Sequence, residues 1–279
     1  MSVDHISKAK SLYTTITKEF SAQSTKTYNH DKLDLYQLDN WKNEELPDIL
    51  LARYNELKHV WLTKDELVLL MDWKLAKGKF RPTLPKLIKS NEEKTVESVT
   101  KEGLDILINY FNQERLTSWK KVDTTTYKDV VKKAFKKLCE LRGVGPATAS
   151  LIMSLLHKID PVLTPPFFSD ESFIYYVVEP SRPDTKIKYN VKEYIDELLP
   201  VYFEILAEHS DLTMNDLEKG GWALKMYDIY RIDKLLNVKP DFDVDDEDLK
   251  MYKHIKQEEE KKEDEEVEEE GPSKKKRKV

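Results

Sequence analysis

The sequence predicts an all-α protein, and three observations support this fold class. Apolar residues recur at helical spacing through most of the first 240 residues, convincing strand-like alternation is absent, and capping motifs stand where helical patterns begin. We therefore interpret residues 1–240 as an all-α body with one or two helical cores, and residues 241–279 as a disordered tail of different composition.

The first well-marked helices lie between residues 47 and 78. Pro47 fits the first turn of a helix that continues to Leu57, because a helix does not use the N–H of its first turn. Thr63 and Glu66 have the spacing of a capping box, in which each side chain accepts a hydrogen bond from the other residue's backbone N–H. The helix that starts there is predicted to end near Gly78.

A basic loop follows this helix, with the sequence Lys77-Gly-Lys-Phe-Arg-Pro82. We interpret it as a solvated turn closed by proline, and the alternative is a second contact with a DNA backbone. Trp73, in the helix before the loop, is interpreted as a core residue in preference to a stacking surface for a base.

A strongly amphipathic helix is predicted to precede residue 141, with an N-cap among residues 124–126. Its polar side is a face of four lysines: Lys132, Lys133, Lys136 and Lys137. From Arg115 to Arg142 there are nine basic residues against three acidic ones. This face is therefore either solvated or directed at phosphates. Solvation would be preferred for the lysines alone, but the glycine turn that follows makes the two interpretations about equal.

The turn reads Leu141-Arg-Gly-Val-Gly-Pro-Ala-Thr-Ala149. Gly143 and Gly145 can take backbone angles closed to other residues, so the chain can reverse between two helices and expose N–H groups to a phosphate. The next helix, about residues 147–157, is apolar nearly all round and is predicted to be buried, with its positive dipole end at the turn. We predict a helix-hairpin-helix over residues 127–157. Its DNA-binding residues are Gly143, Val144, Gly145, Thr148 and the four lysines.

These residues resemble the hairpin of the helix-hairpin-helix DNA glycosylase superfamily, whose motif Leu-x-Gly-Val-Gly-x-x-Thr-Ala is matched at residues 141–149. The similar stretch covers about residues 127–176. In that superfamily the hairpin grips the DNA backbone and a catalytic aspartate follows the next helix, so the resemblance implies that Asp170 is the catalytic carboxylate. Some members carry a catalytic lysine where this chain has Ala147, which implies a monofunctional enzyme.

The chain departs from that superfamily in two further ways. It has no cysteine cluster for an iron–sulfur centre, and the gap from Gly145 to Asp170 is longer than usual. Residues 72–82 and 142–150 are also similar to a family of uncharacterised fungal proteins, which indicates lineage and not function.

Asp170 has a second interpretation from the sequence alone. Prolines at positions 161, 165 and 166 prevent a helix until Ser169 and Asp170, and both of these residue types favour helix N-caps. A capping role and a catalytic role both remain open for this carboxylate.

Further helices are predicted in the C-terminal part of the body. Asn190 and Thr213 are placed at helix N-caps. Pro200 either breaks a helix or begins another, and the pair Gly220-Gly221 is predicted to interrupt the last one.

The tail carries most of the net charge. Residues 241–279 hold 16 of the 52 acidic and 10 of the 46 basic side chains, so the body balances at 36 of each sign. The tail ends in five consecutive basic residues, Lys274, Lys275, Lys276, Arg277 and Lys278. They resemble the nuclear import signal of a viral large T antigen, which predicts a nuclear protein with an import receptor as partner. Nonspecific nucleic-acid contact and an appended expression tag are the alternatives.

Several classes of site and of protein are not expected. Cys139 is the only cysteine, and the six histidines lack ligand spacing, so we predict no disulfide, no metal and no cofactor. No apolar run reaches transmembrane length, so no membrane association is predicted.

The sequence thus predicts a nuclear DNA-binding protein without evident sequence specificity, whose partner is double-stranded DNA. One alternative is a monofunctional base-excision DNA glycosylase that uses Asp170. The other is a protein-interaction module with a structural hairpin, which the electrically neutral body keeps open.

Overall fold

The computed structural model describes residues 3–78, 81–181 and 186–244. Within these residues the regular structure is helical, which confirms the predicted all-α fold, and an antiparallel bridge joins Tyr28 to Leu33. The described α-helices are α1 Val3–Ala22, α2 Leu35–Asn40, α3 Leu46–Leu57, α4 Lys64–Lys77, α5 Leu84–Lys89, α6 Glu93–Glu114, α7 Thr124–Leu138, α8 Pro146–Ser154, α9 Asp170–Phe173, α10 Glu179–Ser181, α11 Leu199–Glu208 and α12 Met214–Tyr230.

Short π-helical segments join several of these helices. Trp41–Glu45 connects α2 to α3, Ile174–Val178 connects α9 to α10, and Glu193–Leu198 leads into α11. Pro47 and Pro200 lie directly after such segments, in the first turns of α3 and α11. Because the hydrogen-bonding register changes at these junctions, the missing proline N–H interrupts neither helix.

One connected hydrophobic core runs through the described body, with buried apolar side chains from Ile6 to Val238. The first and last helices, α1 and α12, pack along each other, and α6 packs along α7. Since α12 also packs against α9, it lies between the N-terminal helix and the helix that begins at Asp170.

The prediction that Gly220-Gly221 interrupts the last helix is wrong, because α12 continues through both residues. A Cβ atom at Gly220 would lie 2.8 Å from Cγ2 of Ile6 in α1, and one at Gly221 would clash with the ring of Tyr176. The glycines therefore serve close helix packing, and this packing compensates their low helix propensity.

Most predicted caps are confirmed. Thr63 forms the capping box that begins α4, Thr213 forms one that begins α12, and Asn190 Oδ1 accepts a hydrogen bond from the N–H of Glu193 at 2.9 Å. The cap of α7 differs from the expectation, because Asp123 accepts from the N–H of Thr125 in place of a threonine hydroxyl.

A buried asparagine fixes the hairpin turn between α7 and α8. Asn91 follows α5, and its Oδ1 accepts the N–H of Arg142 while its Nδ2 donates to the Arg142 carbonyl, both at 2.9 Å. Nδ2 also donates to the carbonyl of Ile88 at 2.9 Å. This one amide therefore ties the hairpin turn to α5.

Replacing this amide is expected to destabilise the body. Asn91→Ala removes the side-chain partner of both the N–H and the carbonyl of Arg142, so the free energy of unfolding should fall by about 2–3 kcal/mol in urea titrations. Asn109→Ala, at an exposed position of α6, is the matched control and should change it by less than about 0.5 kcal/mol. Equal effects of the two substitutions would contradict the role of Asn91.

Candidate functional site

The hairpin turn requires glycine at position 143. Gly143 has a φ of 80°, in the left-handed region that other residues avoid. A Cβ atom there would also lie 3.1 Å from Cβ of Leu87 in α5. Val144 is buried. The turn therefore packs against the body of the protein, with α5 on one side of it.

The backbone angles at position 145 do not require glycine, contrary to the expectation from the sequence. Its φ of −101° and ψ of −177° are open to any residue, and nothing lies within 4 Å of the position where a Cβ would be. Gly145 occupies the N-cap of α8, and no side chain caps this helix. The open space therefore lies at the uncapped N-terminus of a helix, where the dipole favours an anion.

A cavity of about 300 Å³ opens at this helix end. Its lining includes three of the predicted DNA-binding residues, Gly143, Gly145 and Thr148, together with the predicted catalytic residue Asp170. The hairpin turn and the carboxylate, separated by 25 positions along the chain, thus lie on one cavity. Ala147 lines it too, where the superfamily motif can hold lysine.

The Asp170 carboxylate is half-buried and is held by a tyrosine. Oδ2 of Asp170 accepts a hydrogen bond from the hydroxyl of Tyr189 at 2.7 Å. Ser169 stands at the N-cap of α9, and no side-chain cap hydrogen bond is made there. The carboxylate therefore contacts a side chain from another segment, which is not the geometry of a helix cap.

Tyr189 is itself held in an unusual conformation. Its φ is 56°, a value rare for a bulky residue, and the guanidinium of Arg81 lies over its ring at 5.2 Å. Burial and the hydrogen bond to Asp170 raise the pKa of Tyr189 well above its usual value, so the hydroxyl remains a donor to the carboxylate. Backbone strain of this kind is typical of residues positioned for function.

Lys77 lines the same cavity as Asp170 and is enclosed by an ion pair and aromatic rings. Its ammonium lies 3.2 Å from Oδ1 of Asp39 and 3.1 Å from the hydroxyl of Thr17. The same nitrogen stands 3.6 Å from the ring centre of Trp222 and 4.0 Å from that of Tyr13. Burial lowers the pKa of Lys77, and Asp39 opposes this effect. Lys77 is thus fixed in place by ionic and cation–π contacts.

Two glutamates, Glu171 and Glu218, also line the cavity. Burial raises the pKa of Glu171 to about 7, and Asp170 adds to this effect. Burial likewise raises the pKa of Glu218, although Lys42 opposes it. Burial also lowers the pKa of Lys42, to about 8. Around neutral pH the cavity therefore contains a carboxyl group that exchanges its proton readily.

The predicted lysine face lies apart from this cavity. Lys132, Lys133 and Lys136 are exposed, and Lys132 lies 3.7 Å from Asp129. Lys137 forms ion pairs with Glu102 at 2.8 Å and with Glu140 at 2.9 Å. None of the four is among the described residues that line the cavity, whose cations are Lys74, Lys77 and Arg81. Two of these three belong to the basic loop of residues 77–82, so the interpretation of that loop as a plain solvated turn overlooked its contact with the cavity.

Several other cavity residues were not predicted from the sequence. Trp73 was expected to be core, and it is buried, donates to Asp39 at 2.9 Å and lines the cavity as well. The adjacent acids Asp170 and Glu171 were a visible signal for a pair of carboxyl groups. Tyr189 had no such signal, because its partner is 19 positions away in the sequence.

Some predicted features fall outside what the structure describes. The import residues Lys274, Lys275, Lys276, Arg277 and Lys278 lie beyond residue 244, and so do the acidic blocks of the tail. Lys79 and Phe80 of the basic loop also lie outside the described residues. Across the part of the chain that is described, no group of three His, Cys, Asp or Glu side chains is arranged to hold a metal ion. In the same residues, none of the helices combines the length and apolar character needed to cross a membrane.

Comparisons of the chain with protein families, with curated proteins and with solved structures found no match.

Proposed function

We propose that this protein binds double-stranded DNA through its glycine hairpin and excises a base that has been extruded into the cavity, as a monofunctional DNA glycosylase. The observation that carries the proposal is that the hairpin turn, the uncapped N-terminus of α8 and Asp170 all border one cavity. An enzyme that acts on a base must hold the backbone and receive the flipped nucleotide side by side. The local resemblance of residues 127–176 to the superfamily supports the same assignment.

The walls of the cavity suit a planar base. Trp73, Phe167 and Trp222 contribute aromatic surface, and a volume of about 300 Å³ lies at the lower end of the usual range for small-ligand sites. Base–aromatic stacking contributes about 1–3 kcal/mol per base and tolerates different bases. The aromatic lining therefore supports binding of one nucleotide without strong sequence preference.

The charges at the cavity suit the rest of a nucleotide. The N-terminus of α8 attracts a phosphate, and Lys74 and Arg81 add positive charge nearby. Asp170 supplies the opposite charge, which stabilises the sugar as it becomes positive when the base leaves. Tyr189 orients that carboxylate, and a water molecule completes the hydrolysis at C1′.

Binding to DNA is tested best at Gly145, because this position accepts side chains without strain. Gly145→Asp and Gly145→Asn should both fold, since both residues are good N-caps. The aspartate would place a negative charge where we expect the phosphate, and like charges a few ångströms apart repel by about 1–4 kcal/mol. Fluorescence anisotropy at fixed salt should therefore show affinity for a duplex at least about tenfold lower for Gly145→Asp than for Gly145→Asn. Equal affinities would argue against a phosphate at this helix end.

Catalysis is tested at Asp170. Asp170→Asn keeps the shape and an acceptor for Tyr189 but removes the charge, so excision from damaged duplexes should fall by about 10²-fold or more. Affinity for undamaged DNA and the midpoint of thermal unfolding should stay close to those of the unchanged protein. If the unchanged protein binds DNA but excises no base, the protein is a non-catalytic binding module. A borohydride-trapped adduct would contradict the hydrolytic mechanism and point to an amine such as Lys74.

Nuclear import is proposed from the basic end of the tail. Replacing the five residues 274–278 by alanine should move a fluorescent fusion of the full chain from nucleus to cytoplasm, because the run supplies the charges that an import receptor reads. The matched control is Lys261→Ala with Lys262→Ala, which removes two charges elsewhere in the tail. Unchanged nuclear accumulation of the first variant would show that this run is not the signal.

A further inference from the structure

We propose that Glu171 is the general acid of this cavity and that it gives its proton to the departing base, so that the substrates are uncharged bases and not cationic alkylated ones. This inference rests on the proposed excision reaction and specifies its substrate class. Asp170 and Glu171 then have separate tasks, one at the sugar and one at the base.

The geometry distinguishes the two neighbouring acids. Both line the cavity from the first turn of α9. Asp170 is held by the hydroxyl of Tyr189 at 2.7 Å, whereas the carboxyl group of Glu171 accepts a hydrogen bond from its own backbone N–H and none from a described side chain. Glu171 is half-buried and lines the cavity, so its carboxyl group can meet a ligand there.

The surroundings of Glu171 favour its neutral form. Burial raises its pKa most, and Asp170 from its own helix and Glu218 from α12 add to this effect. The hydrogen bond from its own backbone N–H and the charge of Lys77 from α4 lower the pKa but do not cancel the rise. The resulting value of about 7 lies where a group can both hold and release a proton at neutral pH. Such a value is what general acid catalysis requires of a carboxyl group.

The reaction balances without any further reagent except water. The bond between C1′ and the base nitrogen breaks, its electron pair goes to the base, and the proton of Glu171 moves to a nitrogen of the base. Water then adds to C1′ and loses a proton to the Glu171 carboxylate, which restores the acid. Asp170 takes no part in these proton transfers, and its carboxylate stabilises the positive sugar.

The substrate class follows from what the acid contributes. An uncharged base leaves as an anion unless it is protonated, whereas an N7-alkylated purine already carries positive charge and leaves as a neutral molecule. Protonation by Glu171 therefore speeds the loss of an uncharged base and adds little to the loss of a cationic one. This difference assigns uncharged bases as the substrates.

The test compares two leaving groups in three proteins. Full-length protein, Glu171→Gln and Asp170→Asn are assayed on duplexes that contain hypoxanthine, uracil or 8-oxoguanine, and on duplexes that contain N7-methylguanine. Glu171→Gln should lower excision of the uncharged bases by about 10²–10⁴-fold, with little effect on any excision of N7-methylguanine. Asp170→Asn should lower both. An equal loss of both classes in Glu171→Gln would overturn the assignment.

A binding measurement separates this inference from the proposed excision. A duplex with a non-cleavable 2′-fluoro hypoxanthine nucleotide should bind the unchanged protein more weakly as the pH rises through about 7, because ionised Glu171 cannot donate to the base. Glu171→Gln keeps an N–H donor and should bind independently of pH in this range. If no base is excised but binding weakens with pH in this way, the proposed excision activity is wrong. The assignment of Glu171 as the hydrogen-bond donor to the base then still holds. A flat titration of the unchanged protein would overturn the role of Glu171.

Discussion

One buried carboxylate, that of Asp39, connects the helices on which the cavity rests. It accepts hydrogen bonds from Tyr13 of α1 at 2.7 Å and from Trp73 of α4 at 2.9 Å, and it pairs with Lys77 of α4 at 3.2 Å. Burial alone would raise its pKa, but Lys77 and the two hydrogen bonds outweigh burial and lower it. A fourth side chain, that of Asn43, donates to Oδ2 of Asp39 at 3.0 Å. Asp39 therefore stays ionised, and Tyr13, Trp73 and Lys77 also line the cavity. Loss of any one partner would leave a buried charge poorly paired, so these side chains hold one another in place.

This polar cluster is a poor source of stability compared with the apolar core around it. Asp39, Lys42 and Glu218 are each at most 5% exposed, and desolvating such charges offsets much of their mutual attraction. Apolar side chains of similar size would serve folding at least as well. The cluster is better explained by the cavity above it, where fixed charges set the proton affinity of Glu171 and act without reorganisation during a reaction.

Features fixed by neighbouring residues could be predicted from the sequence, and features fixed across the fold could not. The capping box of Thr63 and the left-handed backbone at Gly143 depend on residues a few positions apart, so local patterns identify them. Asn91, which holds the hairpin turn from 51 positions away, has no such pattern. Tyr189 reaches Asp170 from 19 positions away, and Lys77 reaches Asp39 from 38 positions away. No spacing rule predicts such contacts. The same holds for Glu171, whose proton affinity comes from burial among side chains of other helices.

A helix N-terminus and several carboxyl groups on one cavity impose opposite demands on a ligand. The end of α8 at Gly145 attracts negative charge, while the carboxylate of Asp170 repels it and attracts positive charge. A simple anion or a simple cation satisfies only half of this arrangement. A nucleotide under attack at C1′ satisfies both halves, because its phosphate is negative and its sugar becomes positive as the base departs. In the excision that we propose, protonation of Glu171 removes one negative charge from the cavity before reaction. The phosphate then meets less repulsion, and Asp170 is the charge that faces the positive sugar.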